Sequence, residues 1–212
     1  MTRDAENLIL RLTPLFEGMT DAEISEALRL YRAERVSFAK GETLISIGSP
    51  VDRFALVLSG SVQVMSDDLM GQHMIMITVE PGTSFAESLC FRKCRESPVY
   101  ACAFTNCEIM WLHTDALEHS TGLCLRFIRL LTGKTLSMNN RVQVLSKLTI
   151  REKLLTLLSQ YASKDGSRFT IPFDRDSLAA YLGTNRSALS RELSRMREDG
   201  LIEYERNIFR VK

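Results

Sequence analysis

The run Asp176–Leu193 constrains this chain more than any other stretch of its sequence. Ala179 is followed four positions later by Gly183, and Leu189 comes six after that. A small residue lets a second helix cross a first closely, and a glycine supplies a positive-φ turn between them. Leu178, Leu182, Leu189 and Leu193 are placed to pin the two helices together. The second helix then presents Arg186, Ser187, Ser190 and Arg191 outward, with Thr184 or Asn185 placed to cap it. Arginine takes guanine bidentately and serine serves bases or phosphates, so such a face suits the major groove of double-stranded DNA. The alternative is a plain helical hairpin with a solvated Arg/Ser face. The C-terminal stretch argues against it: Gly200–Glu205, then Arg206-Asn207, then Ile208–Val211. Two β-type runs about a short polar turn make a wing, and the segment reads as a winged helix-turn-helix.

The remainder must supply a larger body. A chain of 212 residues suffices for one large domain or two small ones. The composition, 45% hydrophobic and 25% charged, is that of a globular protein. No apolar run approaches the roughly 20 residues that span a bilayer, so no membrane role is expected. The N-terminus MTRDAENLILRLTPLFEG lacks the apolar core of a signal peptide, which predicts a cytoplasmic location. The net charge of +1 divides unevenly: residues from Ser146 onward carry 13 Lys and Arg against 9 Asp and Glu. The positive excess lies with the helix pair, the sign that phosphate contact requires.

Glu6 to Arg35 reads as short helices, with Thr20 and Glu23 spaced as a capping box. From Val36 to His113 short β-type runs alternate with glycines at 41, 48, 60, 71 and 82. Thr43–Ile47, Arg53–Leu58, Ser61–Met65, His73–Val79 and Val99–Phe104 are the clearest. This texture predicts an antiparallel barrel or roll. A proline-free helical segment spans about Thr114 to Leu145. Within it Cys124, Ile128, Leu131, Thr135, Met138, Val142 and Leu145 alternate at spacings of four and three. That is a coiled-coil seam, apolar except at Thr135, which pairs with a second copy in a parallel homodimer or packs on its own barrel. Three segments result: 1–113, 114–145 and 146–212.

This order resembles the cyclic-AMP receptor protein/FNR superfamily of bacterial transcription regulators. The resemblance rests on Gly41–Ile45, Leu58–Val62, Pro81–Glu87 and Leu182–Arg191. It implies an α+β fold: an N-terminal cyclic-nucleotide-binding-type antiparallel β-roll (jelly-roll), a long dimerisation helix and a C-terminal winged helix-turn-helix. It implies an effector-responsive homodimer with two readers one DNA turn apart, roughly 34 Å, and RNA polymerase as a further partner. The family's recognition helix shows Arg-Glu-x-x-x-Arg. Arg186 and Arg191 match, while Ser187 replaces a glutamate that in relatives accepts from a cytosine amino group, so a different operator is expected. Cyclic-AMP-binding members carry Gly-Glu, then Arg-Ser about ten residues on. Here Glu87 matches, Ala86 replaces the glycine, and a gapless count puts Ser97-Pro98 at the Arg-Ser positions. The counter-charge for the cyclic phosphate is missing and the proline lacks an amide donor. Phe85, Ala86, Glu87, Ser88, Ser97 and Pro98 are therefore expected to line an effector pocket for a small molecule other than cyclic AMP.

Five cysteines, Cys90, Cys94, Cys102, Cys107 and Cys124, form no even disulfide framework. They read as reduced thiols, with a redox or metal switch at Cys90 and Cys94 as the alternative. Iron–sulfur relatives use an N-terminal cysteine cluster, and no cysteine precedes Cys90 here, so no such cluster is expected. His73, His113 and His119 are the candidate haem ligands, with ordinary surface histidines as the bland reading. A cupin-type barrel enzyme would need a His/Glu metal cluster that three scattered histidines do not provide. With no nucleophile–base constellation either, neither a metal site nor catalysis is expected.

Overall fold

The computed structural model describes residues 3–67, 73–92, 96–163 and 166–212. They divide into two compact units, Met1–Thr132 and Gly133–Lys212. The first opens with helices α1 (Arg3–Leu12) and α2 (Asp21–Leu30). The capping box at α2 is present in both directions: Glu23 N donates to Thr20 Oγ1 at 3.3 Å, and Thr20 N to Glu23 Oε2 at 2.7 Å. Then come β1 (Glu34–Phe38), β2 (Thr43–Ile45), β3 (Arg53–Ser59), β4 (Val62–Asp67), β5 (His73–Val79) and β6 (Ser84–Phe85). Helix α3 (Glu87–Phe91), β7 (Tyr100–Ala103), β8 (Cys107–His113), α4 (Ala116–His119) and the long α5 (Thr121–Leu145) complete this stretch of the chain.

The strands form two four-stranded antiparallel sheets, ordered β1-β8-β3-β6 and β2-β7-β4-β5. Phe54, Leu56, Ile109 and Leu112 of one sheet and Val62, Val79, Ala101 and Ala103 of the other share one hydrophobic core. This is the roll the glycine spacing predicts. Strand β3 breaks simple alternation, because Phe54 to Leu58 are all buried. A strand covered on both faces reads as a continuous apolar run. Part of that cover is an aromatic ladder: Phe16 to Tyr31 at 6.4 Å, Tyr31 to Phe54 at 5.9 Å, and Phe54 to Phe127 at 5.4 Å between ring centres.

The long helix starts later than the sequence predicts. Thr114 and Asp115 form a turn, α4 is a separate short helix, and Ser120 is extended at φ −144° and ψ 106°. Ser120 Oγ accepts from Leu123 N at 3.3 Å and so caps α5. Serine competes with the helical backbone for its own hydrogen bonds, which favours a break there. The expected middle segment 114–145 thus divides between the two units. Leu123, Phe127 and Leu130 are buried in the first, and Val144 joins the core of the second.

The second unit continues with α6 (Ile150–Tyr161), β9 (Phe169–Thr170), α7 (Arg175–Tyr181), α8 (Arg186–Glu198), β10 (Ile202–Glu205) and β11 (Ile208–Val211). Thr149 and Glu152 cap α6 reciprocally, a box legible in the sequence at the spacing seen at Thr20. The three strands pair antiparallel in the order β10-β11-β9. Leu154, Leu157, Leu158, Ile171, Met196, Ile202 and Phe209 close the core around the four leucines of the helix pair.

Candidate nucleic-acid interface

Asp174 caps α7, its Oδ1 accepting from Ser177 N at 2.8 Å. A bond from the Ser177 hydroxyl, together with this one from its amide, holds the exposed Asp174 carboxyl below the usual carboxylate range. At the far end Gly183 takes φ +65°. Thr184 N donates to Ala179 O at 3.0 Å and Gly183 N to Ala180 O at 3.2 Å. These two bonds close a left-handed helix end of the Schellman type, which glycine permits. Asn185 caps α8: its Oδ1 accepts from Ala188 N at 2.8 Å. Of the two candidate caps, Asn185 therefore serves, while half-buried Thr184 lends its amide to the turn. Leu178, Ala179, Leu182, Leu189 and Leu193 are all buried. Arg186, Ser187, Ser190 and Arg191 are all exposed, so the structure brings the predicted reading residues onto one face of one helix.

Helix α6 braces this pair through residues that sequence reasoning did not single out. Arg151 Nε meets Glu192 Oε1 at 2.6 Å and its Nη1 meets Asp199 Oδ2 at 2.8 Å, tying α6 to the middle of α8 and to its C-cap. Lys153 Nζ donates to Leu182 O at 3.0 Å, satisfying a carbonyl at the end of α7. The wing is a two-residue turn in which Glu205 pairs with Ile208 and Arg206 takes φ +52°. Arg175 Nη2 donates to Arg206 O at 3.2 Å. The guanidiniums of Arg175 and Arg197 lie 5.3 Å and 5.4 Å from the Tyr204 ring centre. An open cleft of about 890 Å³ runs between α8 and the wing, lined in part by Arg175, Arg186, Ser190, Arg206 and Asn207. Basic side chains beside an exposed helix, with a wing held at one edge, suit a nucleic-acid backbone.

The second predicted surface is the stripe on α5. Ile128, Met138 and Val142 are 51%, 70% and 59% exposed, Thr135 is exposed, and Cys124 and Leu131 are half-buried. The residues that pack α5 on its own roll are Leu123, Phe127 and Leu130, a neighbouring stripe. Leu131 of the seam also packs, partly buried, against that core, whereas Ile128 lies outside it and is exposed.

The expected effector residues behave unevenly. Phe85 is buried edge-on to Trp111 at 6.2 Å, Glu87 is buried, and Ser88 and Pro98 are exposed. Ala86 stands at φ +68°, a left-handed conformation that suits the glycine it replaces. Ser97 is buried, and its bonds join its own loop to the one between β2 and β3. Its hydroxyl donates to Val99 O at 2.6 Å, its amide to Ser49 O at 2.8 Å, and its carbonyl accepts from Gly48 N at 2.9 Å. These bonds give Ser97 a structural role at its place in the fold. Burial pushes the Cys90 thiol up, and its Sγ lies 3.5 Å from Thr114 Oγ1. A thiol held protonated is a poor redox nucleophile. Cys94 lies outside the described residues. Among the described residues no group of three or more His, Cys, Asp or Glu is gathered for a metal, and no helix is long and apolar enough to cross a membrane.

Comparison with known proteins agrees with this geometry. Residues 35–119 match the family described as "Cyclic nucleotide-binding domain", and residues 152–212 the "Crp-like helix-turn-helix domain". Electron transport regulator A of Shewanella oneidensis is 25% identical over 184 residues, covering 77% of this chain and 69% of that protein. The CRP-like cAMP-activated global transcriptional regulator of Mycobacterium tuberculosis is 22% identical over 209 residues, 93% of this chain and 91% of its own. The crystal structure of the Thermus thermophilus catabolite activator protein superposes with a TM-score of 0.53 at 24% identity, covering 94% of each chain.

Proposed function

Because this chain belongs to the cyclic-AMP receptor protein/FNR superfamily of transcription regulators, we propose that it binds a two-fold symmetric DNA operator as a parallel homodimer. One observation carries this reading: α8, fixed by the turn at Gly183 and the Asn185 cap, holds Arg186, Ser187, Ser190 and Arg191 exposed together. The seam Cys124–Ile128–Leu131–Thr135–Met138–Val142, exposed at Ile128, Thr135, Met138 and Val142, supports a second copy as its partner. In this reading residues 1–113 sense an effector, 114–145 join the protomers and 146–212 read DNA. RNA polymerase is the further partner, and the cytoplasm is the compartment in which both are met.

Selecting bound DNA from a random pool tests the proposal. Enrichment of an inverted repeat with half-sites one helical turn apart, roughly 34 Å, is the expected result. Enrichment of nothing, or of an asymmetric site, overturns it. The effector is a small molecule other than cyclic AMP, since Ser97 stands where the phosphate's counter-charge would be and Pro98 beside it has no amide to donate. Calorimetry with cyclic AMP should show no micromolar binding, and a saturable isotherm refutes this.

A further inference from the structure

Helix α8 begins with a cation. Arg186 is its first residue, where the helix dipole disfavours positive charge. The preceding helix meets it with an acid: Arg186 Nη1 lies 2.8 Å from Asp176 Oδ2. Their side chains remain 64% and 67% exposed. An exposed pair of this kind adds little to folding. An acid beside a face that must approach phosphates also opposes general DNA binding. Its effect must be sought in what it does to Arg186. Tethering Nη1 leaves the Nε–Nη2 edge with no partner among the described residues. That edge carries two parallel donors, the fork that guanine O6 and N7 accept. The tether also limits rotamer freedom before binding, so less is lost on contact. Arg191, five positions on, is exposed and has no ion pair among the described residues.

We propose that Asp176 is a specificity-determining positioning residue: by holding Arg186 it turns a general phosphate cation into the reader of one guanine per half-site. This rests on the DNA-binding reading above and adds to it a residue outside the recognition helix.

The test uses the full-length chain. The wild type first selects its operator, and the guanine whose preference vanishes in Arg186→Ala is identified. Fluorescence anisotropy then measures binding to that operator, to the same site with adenine at that position, and to random DNA, over a range of salt. Asp176→Asn should lower the guanine-over-adenine ratio at least tenfold. Binding to random DNA should tighten and its salt dependence steepen, because a negative charge has gone. In the Arg186→Ala background Asp176→Asn should leave the ratio unchanged, as coupling through one partner requires. Asp176→Glu keeps the carboxylate and should hold the ratio within threefold of wild type. Loss of the ratio in both Asp176→Asn and Asp176→Glu, or in neither, overturns the proposal, as does an operator with no Arg186-dependent guanine; in each case the DNA-binding reading stands. If the wild type enriches no sequence, that reading fails and this one with it.

Discussion

Two glycines with nearly the same backbone should respond differently to the same substitution. Gly60 stands at φ +72° and Gly183 at φ +65°. A Cβ on Gly60 would collide with the Asn106 carbonyl oxygen and come within 2.8 Å of Cys107 Cα, both backbone. A Cβ on Gly183 would meet only Leu145 Cδ2 at 3.8 Å, an ordinary contact. Gly183→Ala should therefore cost about 1 kcal/mol, the left-handed penalty alone. Gly60→Ala adds overpacking and should cost about 3 kcal/mol or more. Urea denaturation of the two variants checks this, and equal losses would refute it. Arg191 is a residue-scale matter too. It is exposed, so Arg191→Ala should leave the melting curve unchanged while abolishing the specific operator shift in a gel assay.

At the scale of elements, three helices start from acid-dependent caps. Backbone and hydroxyl hydrogen bonds from Thr20 and Thr149 lower the carboxyls of Glu23 and Glu152, and those from Ser177 lower Asp174. A depressed folded-state value means that the stabilisation is complete above the unfolded value, near pH 4, and is lost as pH falls through the folded value. The urea midpoint should therefore drop between about pH 5 and pH 3. Glu152→Gln should weaken that dependence, and an unchanged profile would count against the cap at α6. The same local chemistry decided where α5 begins. Its proline-free sequence reads as continuous from Thr114, yet the Ser120 hydroxyl caps a fresh start at Thr121.

For the whole molecule, the proposed dimer makes the α5 seam the surface to test. Ile128→Glu with Val142→Glu places charge at two positions more than half exposed in the single chain. Sedimentation equilibrium should then report a monomer, circular dichroism should keep the helical signal, and operator affinity should collapse. A dimer that survives both charges would move the interface elsewhere.

The pair α7–α8 was legible residue by residue, because a helix pair with a tight turn depends on local rules. Ala179, Gly183 and the four leucines meet steric needs that lie within about fifteen residues of chain. The roll was legible in kind from its glycine-punctuated strands, but not in its pairing. That β8 sits between β1 and β3 is a non-local choice made by the shared core. Ser97 looked like a ligand residue by position, and only its bonds to Ser49, Gly48 and Val99 reveal a loop staple. Asp176 was simply the first residue of the motif, and Arg151 an unremarked charge on α6. Each acquires its role from a partner ten or forty-one positions away. Local sterics and periodicity are written in the order of residues, whereas ion pairs and spent hydrogen bonds depend on distances that exist only once the chain has closed on itself.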